Sequence, residues 1–98
     1  MVNQVFGNEI MRRAMMIKFL FFAHLVDEVG VQSMDLELVD GWVVGQYLDK
    51  ISSGNSFLQA ALVEDESVLV SVNQVLSDRN AILSNGDEVG LLPPFSGG

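Results

Sequence analysis

The last six residues of the sequence, PPFSGG, are suited to presenting a backbone carboxylate to another protein. Pro93 and Pro94 block ladder pairing and favour an extended course, so they direct the chain off the preceding strand. A six-residue segment of this kind spans about 20 Å when extended. Gly97 and Gly98 have no Cβ and therefore fit a channel too narrow for any other residue. The segment predicts that the α-carboxylate of Gly98 is the functional group of this chain.

Other residues whose side chains could take part in chemistry are isolated in the sequence. His24 is the only histidine, so a histidine-based metal cluster is excluded and a surface or loop role is expected. Glu64, Asp65 and Glu66 form an acidic run without metal-ligand spacing, which is typical of a solvated loop. The sequence has no phosphate-binding GxxxxGK pattern and no cysteine, which excludes thiolate chemistry and disulfides. These observations predict a protein that is not a self-sufficient enzyme and holds no metal.

Size and composition indicate one folded domain. The chain has 98 residues, of which 49% are hydrophobic and 18% charged, a composition far too apolar for a disordered chain. Its longest apolar run, Phe19 to Ala23, is much too short to cross a bilayer and predicts a buried strand. We therefore expect no membrane association. The absence of cysteine is consistent with the cytoplasm, which is the expected location.

The charge of the chain is strongly negative, at −8. From Met16 onward, three basic residues face twelve acidic ones. So acidic a body is repelled by phosphate backbones, which argues against nucleic-acid binding and for a partner with a basic docking surface. A requirement for solubility explains the negative charge equally well, so the charge alone does not distinguish a basic partner from solubility.

The first fifteen residues, MVNQVFGNEIMRRAM, lack the long apolar segment and small-residue cleavage site of a secretory signal. Met16 immediately precedes the first strand pattern. We expect residues 1–15 to be a flexible N-terminal extension, or the product of a start codon assigned too early, and residues 16–98 to form the domain.

The hydrophobic pattern predicts a mixed β-sheet covered on one face by a single main helix, an α+β fold. Val43, Val44, Tyr47, Leu48 and Ile51 have helical spacing, and the helix should end near Ser53-Gly54. A turn of helix after His24 and a second one near Phe57 to Leu62 are also predicted. Strands are predicted over Ile17 to Phe22, Met34 to Val39, Val68 to Val72 and Glu88 to Leu92, with a short Val75-Leu76 segment between the last two.

Three apolar residues fall on the charged faces of their predicted strands. Leu20 and Phe22 share a face with Lys18, and Leu92 shares one with Glu88. This pattern is found in strands buried from both sides and also in exposed docking patches. The adjacent C-terminal segment favours the docking patch.

Three stretches carry a resemblance to a known family: MIKFLFFA from Met16, SVNQ from Ser71, and above all NGDEVGLLPPFSGG from Asn85. Over residues 16–98 the chain resembles the small, sulfur-carrier subunits of molybdopterin synthase, which are ubiquitin-like β-grasp proteins. Gly90, Leu91 and Leu92 depart from the bulkier or aromatic residues often found there.

The resemblance implies a chemistry for the terminus. An E1-like adenylating enzyme would use ATP to adenylate the Gly98 carboxylate, and sulfur supplied through a sulfurtransferase would displace AMP to leave a thiocarboxylate. The tail, which includes Phe95 and Ser96, would enter the large synthase subunit within a heterotetramer and donate sulfur to a pterin precursor. Positions matching Phe22, Leu76 and Leu92 would contact partners, and no cofactor would be bound stably.

Three alternatives remain open at this point. A sulfur carrier for thiamine synthesis or tRNA thiolation shares the Gly-Gly ending, as does a ubiquitin-like modifier that forms isopeptide bonds to lysine. The third alternative is an interaction domain whose terminus is never activated.

Overall fold

The computed structural model describes residues 15–94 of the chain. Its elements follow the predicted order, with a first strand, a short helix, a second strand, the main helix and then three further strands. The bounds are β1 Met16–Phe21, α1 Leu25–Val29, β2 Ser33–Glu37, α2 Val44–Ser52, α3 Ser56–Leu58, β3 Leu69–Val72, β4 Val75–Ser77 and β5 Glu88–Leu92. A π-helical segment, Gln59–Glu64, follows α3 directly.

The strands form one mixed sheet in the order β2-β1-β5-β3-β4. β1 and β5 run parallel at the centre, whereas β1 with β2, β5 with β3 and β3 with β4 are antiparallel pairs. The C-terminal strand therefore lies in the middle of the sheet with a hydrogen-bonded neighbour on each side. The α+β β-grasp fold expected from the sequence is confirmed.

Two strand predictions differ from the structure. The Val75-Leu76 segment pairs with β3 and becomes the edge strand β4, because Asn73 and Gln74 take positive φ angles of 52° and 68° and close a tight hairpin. The second strand ends at Glu37 instead of Val39. Beyond it, the backbone N–H and C=O of Val39 both bond to the hydroxyl of Tyr47, at 2.8 and 3.1 Å.

The core lies between α2 and one face of the sheet. The inward side chains of β1 are buried, as the alternation predicted, and Tyr47 and Leu48 of α2 are fully buried against them. The ring of Phe19 lies 5.8 Å from that of Tyr47, centroid to centroid. The helix prediction over residues 43–51 is thus confirmed both in its bounds and in the face that it buries.

A loop between β4 and β5 holds the start of α2. The backbone N–H of Val44 donates to the carbonyl of Ala81 at 3.0 Å, and that of Gly45 donates to the carbonyl of Arg79 at 2.9 Å. Arg79 also reaches the π-helical segment, where its guanidinium donates to the carbonyls of Leu62 and Asp65, each at 3.1 Å. These bonds fix the helices relative to the end of the sheet from which the C-terminal segment leaves.

In residues 15–94, no helix is long and apolar enough to cross a membrane. The same residues contain no group of three or more histidine, cysteine, aspartate or glutamate side chains arranged to hold a metal ion.

A candidate docking surface at the base of the C-terminal segment

β5 carries the C-terminal segment out of the centre of the sheet. Its inward residues Val89 and Leu91 are completely buried, so the strand is anchored in the core along its length. Near its end, the carbonyl of Leu91 accepts a bond from the N–H of Phe22 at 3.2 Å, and Leu92 still pairs with Leu69 of β3. Pro93 and Pro94 follow immediately and have no N–H to extend the ladder. The segment therefore starts from a rigid point.

Four of the six tail residues named from the sequence, Phe95, Ser96, Gly97 and Gly98, lie outside the described part of the chain. Residues 1–14 of the predicted N-terminal extension lie outside it as well. The described start of the tail consists of Pro93, which is half-buried, and Pro94, which is exposed.

The sheet face opposite the core carries the apolar residues that the alternation singled out. Phe22 is 42% exposed, while Leu20 and Leu92 are half-buried. No helix of the described chain covers this face in the way that α2 covers the other. Of the two interpretations left open by the sequence, an exposed apolar surface describes the structure better than burial from both sides.

The register shows how this surface is assembled. Leu20 of β1 lies opposite Gly90 of β5, Gly90 lies opposite Ser71 of β3, and Ser71 lies opposite Leu76 of β4. Leu76 therefore shares the face with Phe22 and Leu92 but stands at the outer edge, where it is 69% exposed. We call Phe22, Leu69, Leu76 and Leu92 the open-face patch.

Leu69 belongs to this patch although it was not singled out from the sequence. It pairs with Leu92 across the β3–β5 ladder and is 39% exposed. The signal was present in the stretch VLVSV, where alternation places Leu69 and Ser71 on the face opposite to Val70. Its significance depends on the pairing of β3 with β5, which the sequence did not specify.

A groove runs beside the base of the tail. Its volume is about 730 Å³, and it is lined by Phe22, Ala23, His24, Asp65, Leu92, Pro93 and Pro94. The groove is continuous with the open-face patch because Phe22 and Leu92 belong to both. We call this space the tail-base groove.

Asp65 brings a negative charge to the tail-base groove. Hydrogen bonds from the Ser67 hydroxyl and from its backbone N–H lower the pKa of Asp65, and the positive charge of Arg79 lowers it further. Asp65 is therefore ionised at neutral pH. The His24 imidazole lies 3.6 Å from the Glu28 carboxylate, and its exposed position agrees with the surface role predicted for it.

The observed arrangement is a mixed five-stranded sheet packed on one main helix, with a central C-terminal strand that leads into a Gly-Gly ending. It defines the ubiquitin-like class of β-grasp proteins. Within that class, residues 19–98 match the model of the ThiS family, and the chain belongs to this family.

Individual relatives narrow the comparison. The molybdopterin synthase sulfur carrier subunit of Escherichia coli is 35% identical over 83 residues, which cover 85% of this chain and 100% of that protein. Small archaeal modifier protein 1 of Haloferax volcanii superposes with a TM-score of 0.70 at 21% identity, covering 81% of this chain and 97% of that chain, which is evidence for the shared fold. The prediction of a sulfur-carrier-type subunit, rather than an enzyme, is confirmed by the curated relatives.

One similar structure is a complex. It contains subunits 1 and 2 of the molybdopterin-converting factor from Helicobacter pylori, and its matching chain has a TM-score of 0.57 and 26% identity. The match covers 86% of this chain and 100% of that one.

Proposed function

We propose that this protein carries sulfur in the biosynthesis of the molybdenum cofactor, with the carboxylate of Gly98 as the carrier group. The observation that supports this most strongly is the family match, which runs from residue 19 through the final Gly-Gly. The whole-length similarity to a curated sulfur carrier subunit favours the molybdenum pathway over thiamine synthesis and tRNA thiolation.

The chemistry at Gly98 needs activation, because a carboxylate oxygen is a poor leaving group. In the first step, a Gly98 carboxylate oxygen attacks the α-phosphorus of ATP in an E1-like enzyme, giving an acyl adenylate and releasing pyrophosphate. A sulfide-equivalent nucleophile supplied through a sulfurtransferase then attacks the carbonyl carbon and AMP leaves. The product is a thiocarboxylate. ATP belongs to the activating enzyme, so the carrier itself needs no resident cofactor.

The thiocarboxylate would deliver its sulfur inside the large synthase subunit. A dithiolene contains two sulfur atoms, so two loaded carriers are consumed for each pterin, which suits a heterotetramer of two small and two large subunits. Basic groups in the partner would neutralise the thiocarboxylate and the phosphate of the pterin precursor. The acidic carrier body suits such a partner.

Each residue of the expected site has a role in this scheme. Pro93 and Pro94 direct the tail away from the sheet, and Gly97 provides the clearance that a narrow active-site channel requires. Phe22, Leu76 and Leu92 hold the partner against the open face, with Leu69 between them. The proposed location is the cytoplasm.

Two measurements test this proposal. Intact mass spectrometry of the protein purified from its own cells should show replacement of one terminal oxygen by sulfur. Ladders of lysine conjugates would instead identify a modifier, and an unmodified carboxylate would identify an interaction domain. In a reconstituted synthase, deletion of Gly98 should abolish conversion of the pterin precursor while the circular dichroism spectrum is unchanged. Ile82→Ala, which alters a residue 66% exposed and outside the tail and the open-face patch, is the matched control.

A further inference from the structure

A second groove lies between α1 and the start of α3. Its lining includes Leu25 and Glu28 from α1, Phe57 from α3 and Ala60 from the π-helical segment. We call it the α1–α3 groove. None of these residues belongs to the open-face patch, and the scheme for the C-terminal chemistry gives them no role.

The exposure of Phe57 in this groove is not explained by packing within the domain. Its side chain is 85% exposed, far more than Phe22 on the open face. The backbone that carries Phe57 is held at the helix start, because the Asn55 side chain accepts a bond from the N–H of Leu58 at 3.1 Å and caps the helix. An aromatic ring held in water beside a concave surface is typical of a contact site for another protein.

The charge around the ring indicates the chemistry of the occupant. Glu28 and Asp65 line the α1–α3 groove, and the neighbouring residues Asp27, Glu64 and Glu66 are also acidic. No lysine or arginine of residues 15–94 is among the lining side chains. The guanidinium of Arg79 donates to the backbone carbonyls of Leu62 and Asp65, and Arg79 is not among the residues that line the groove.

The α1–α3 groove is continuous with the tail-base groove, since His24 and Asp65 line both. A protein that surrounds the tail at Pro93 and Pro94 and contacts His24 and Asp65 therefore reaches the groove that Phe57 lines. We propose that the α1–α3 groove receives a basic segment of the large synthase subunit, with an apolar side chain packed on Phe57 and a lysine or arginine facing Glu28. This inference rests on the proposed function, because the proposed function supplies the partner.

The test measures the affinity of the full-length carrier for the purified large subunit by calorimetric titration, at low and high salt. Phe57→Ala should weaken binding about tenfold, as truncation of a buried interface aromatic does. Glu28→Lys should weaken it by a similar factor at low salt and should flatten the salt dependence. Ile82→Ala and Asp49→Lys are the matched controls, because they make the same kinds of change at exposed positions outside both grooves.

The outcomes separate the two proposals. If the wild type binds tightly and the affinities of Phe57→Ala and Glu28→Lys equal those of the control variants, the groove assignment is wrong. The proposed carrier function is then unaffected. A wild-type protein that does not bind the large subunit at all overturns the carrier function and the groove assignment together. Sedimentation showing a carrier dimer that Phe57→Ala dissociates also overturns the assignment, because the occupant is then a second copy of the chain.

Discussion

The ring of Phe22 lies over Gly90, on the neighbouring central strand. A methyl group placed on Gly90 would lie 3.3 Å from Cε2 of the ring and 2.5 Å from Oγ of Ser71. The absence of a side chain at Gly90 therefore creates the space that the ring occupies, with Leu92 beside it. In this chain, the position of Phe22 on the open face depends on a glycine one strand away.

Gly90→Ala should lower the free energy of unfolding by about 1–3 kcal/mol, because the added methyl group overlaps Ser71 and displaces the ring. It should also weaken binding to the large subunit while leaving the C-terminal segment unchanged. Ser71→Ala removes the 2.5 Å contact. The double variant should thus recover most of the lost stability in urea unfolding, and additive losses in the two single variants would contradict this explanation.

Truncation of the Phe22 side chain should affect partner binding more than the stability of the fold. Because the side chain is 42% exposed, Phe22→Ala should cost only about 1–2 kcal/mol of stability. Loss of a central interface aromatic should nevertheless weaken binding to the large subunit by about tenfold to a hundredfold. Val31→Ala alters a residue of similar exposure, 43%, outside the open-face patch, and is the matched control for the calorimetric titration. Equal affinities for the two variants would remove Phe22 from the docking surface.

Much of this architecture was predictable because local patterns in the sequence coincide with the packing. The alternation in β1 gave its buried face, and the spacing of Tyr47 and Leu48 gave the buried face of α2. The Pro93-Pro94 pair marked the end of β5. In each case the signal lies within one short segment and does not depend on which strands are neighbours.

The features of the fold and of the site that the sequence did not predict depend on contacts between distant segments of the chain. The role of Gly90 is visible only once β1, β5 and β3 are placed side by side, since one close neighbour, Ser71, lies on β3 and the other, Phe22, directly follows β1. The α1–α3 groove likewise needs α1 and Phe57 to be brought together. Both the β2 boundary and the π-helical segment depend on tertiary hydrogen bonds, from Tyr47 and from Arg79 respectively.

The β3–β4 hairpin offers a stabilising substitution. Gln74 has a φ of 68°, a left-handed conformation that strains a residue with a Cβ. Gln74→Gly should raise the free energy of unfolding by about 1 kcal/mol and give the Asn-Gly sequence favoured in such turns. Asn73→Gly is the informative comparison, because the Asn73 side chain donates to Asp87 at 2.9 Å and accepts from the N–H of Glu88 at 3.0 Å. We expect Asn73→Gly to destabilise the protein. If thermal unfolding shows a higher stability for Gln74→Gly and a lower one for Asn73→Gly, the side-chain bonds at position 73 contribute more than the relief of backbone strain.

The titration of Asp65 tests the electrostatics that the two grooves share. Bonds from the Ser67 hydroxyl and backbone N–H, with a further contribution from Arg79, stabilise the ionised carboxylate and lower its pKa in the folded state. A lowered pKa stabilises the fold at pH values above the unfolded value of about 3.9, and this contribution is lost as the pH falls through the folded value. Ser67→Ala removes the hydroxyl bond, so the carboxyl resonance of Asp65 followed by NMR should titrate at a higher pH than in the wild type. An unchanged Asp65 titration would show that the Ser67 hydroxyl does not lower the pKa of Asp65.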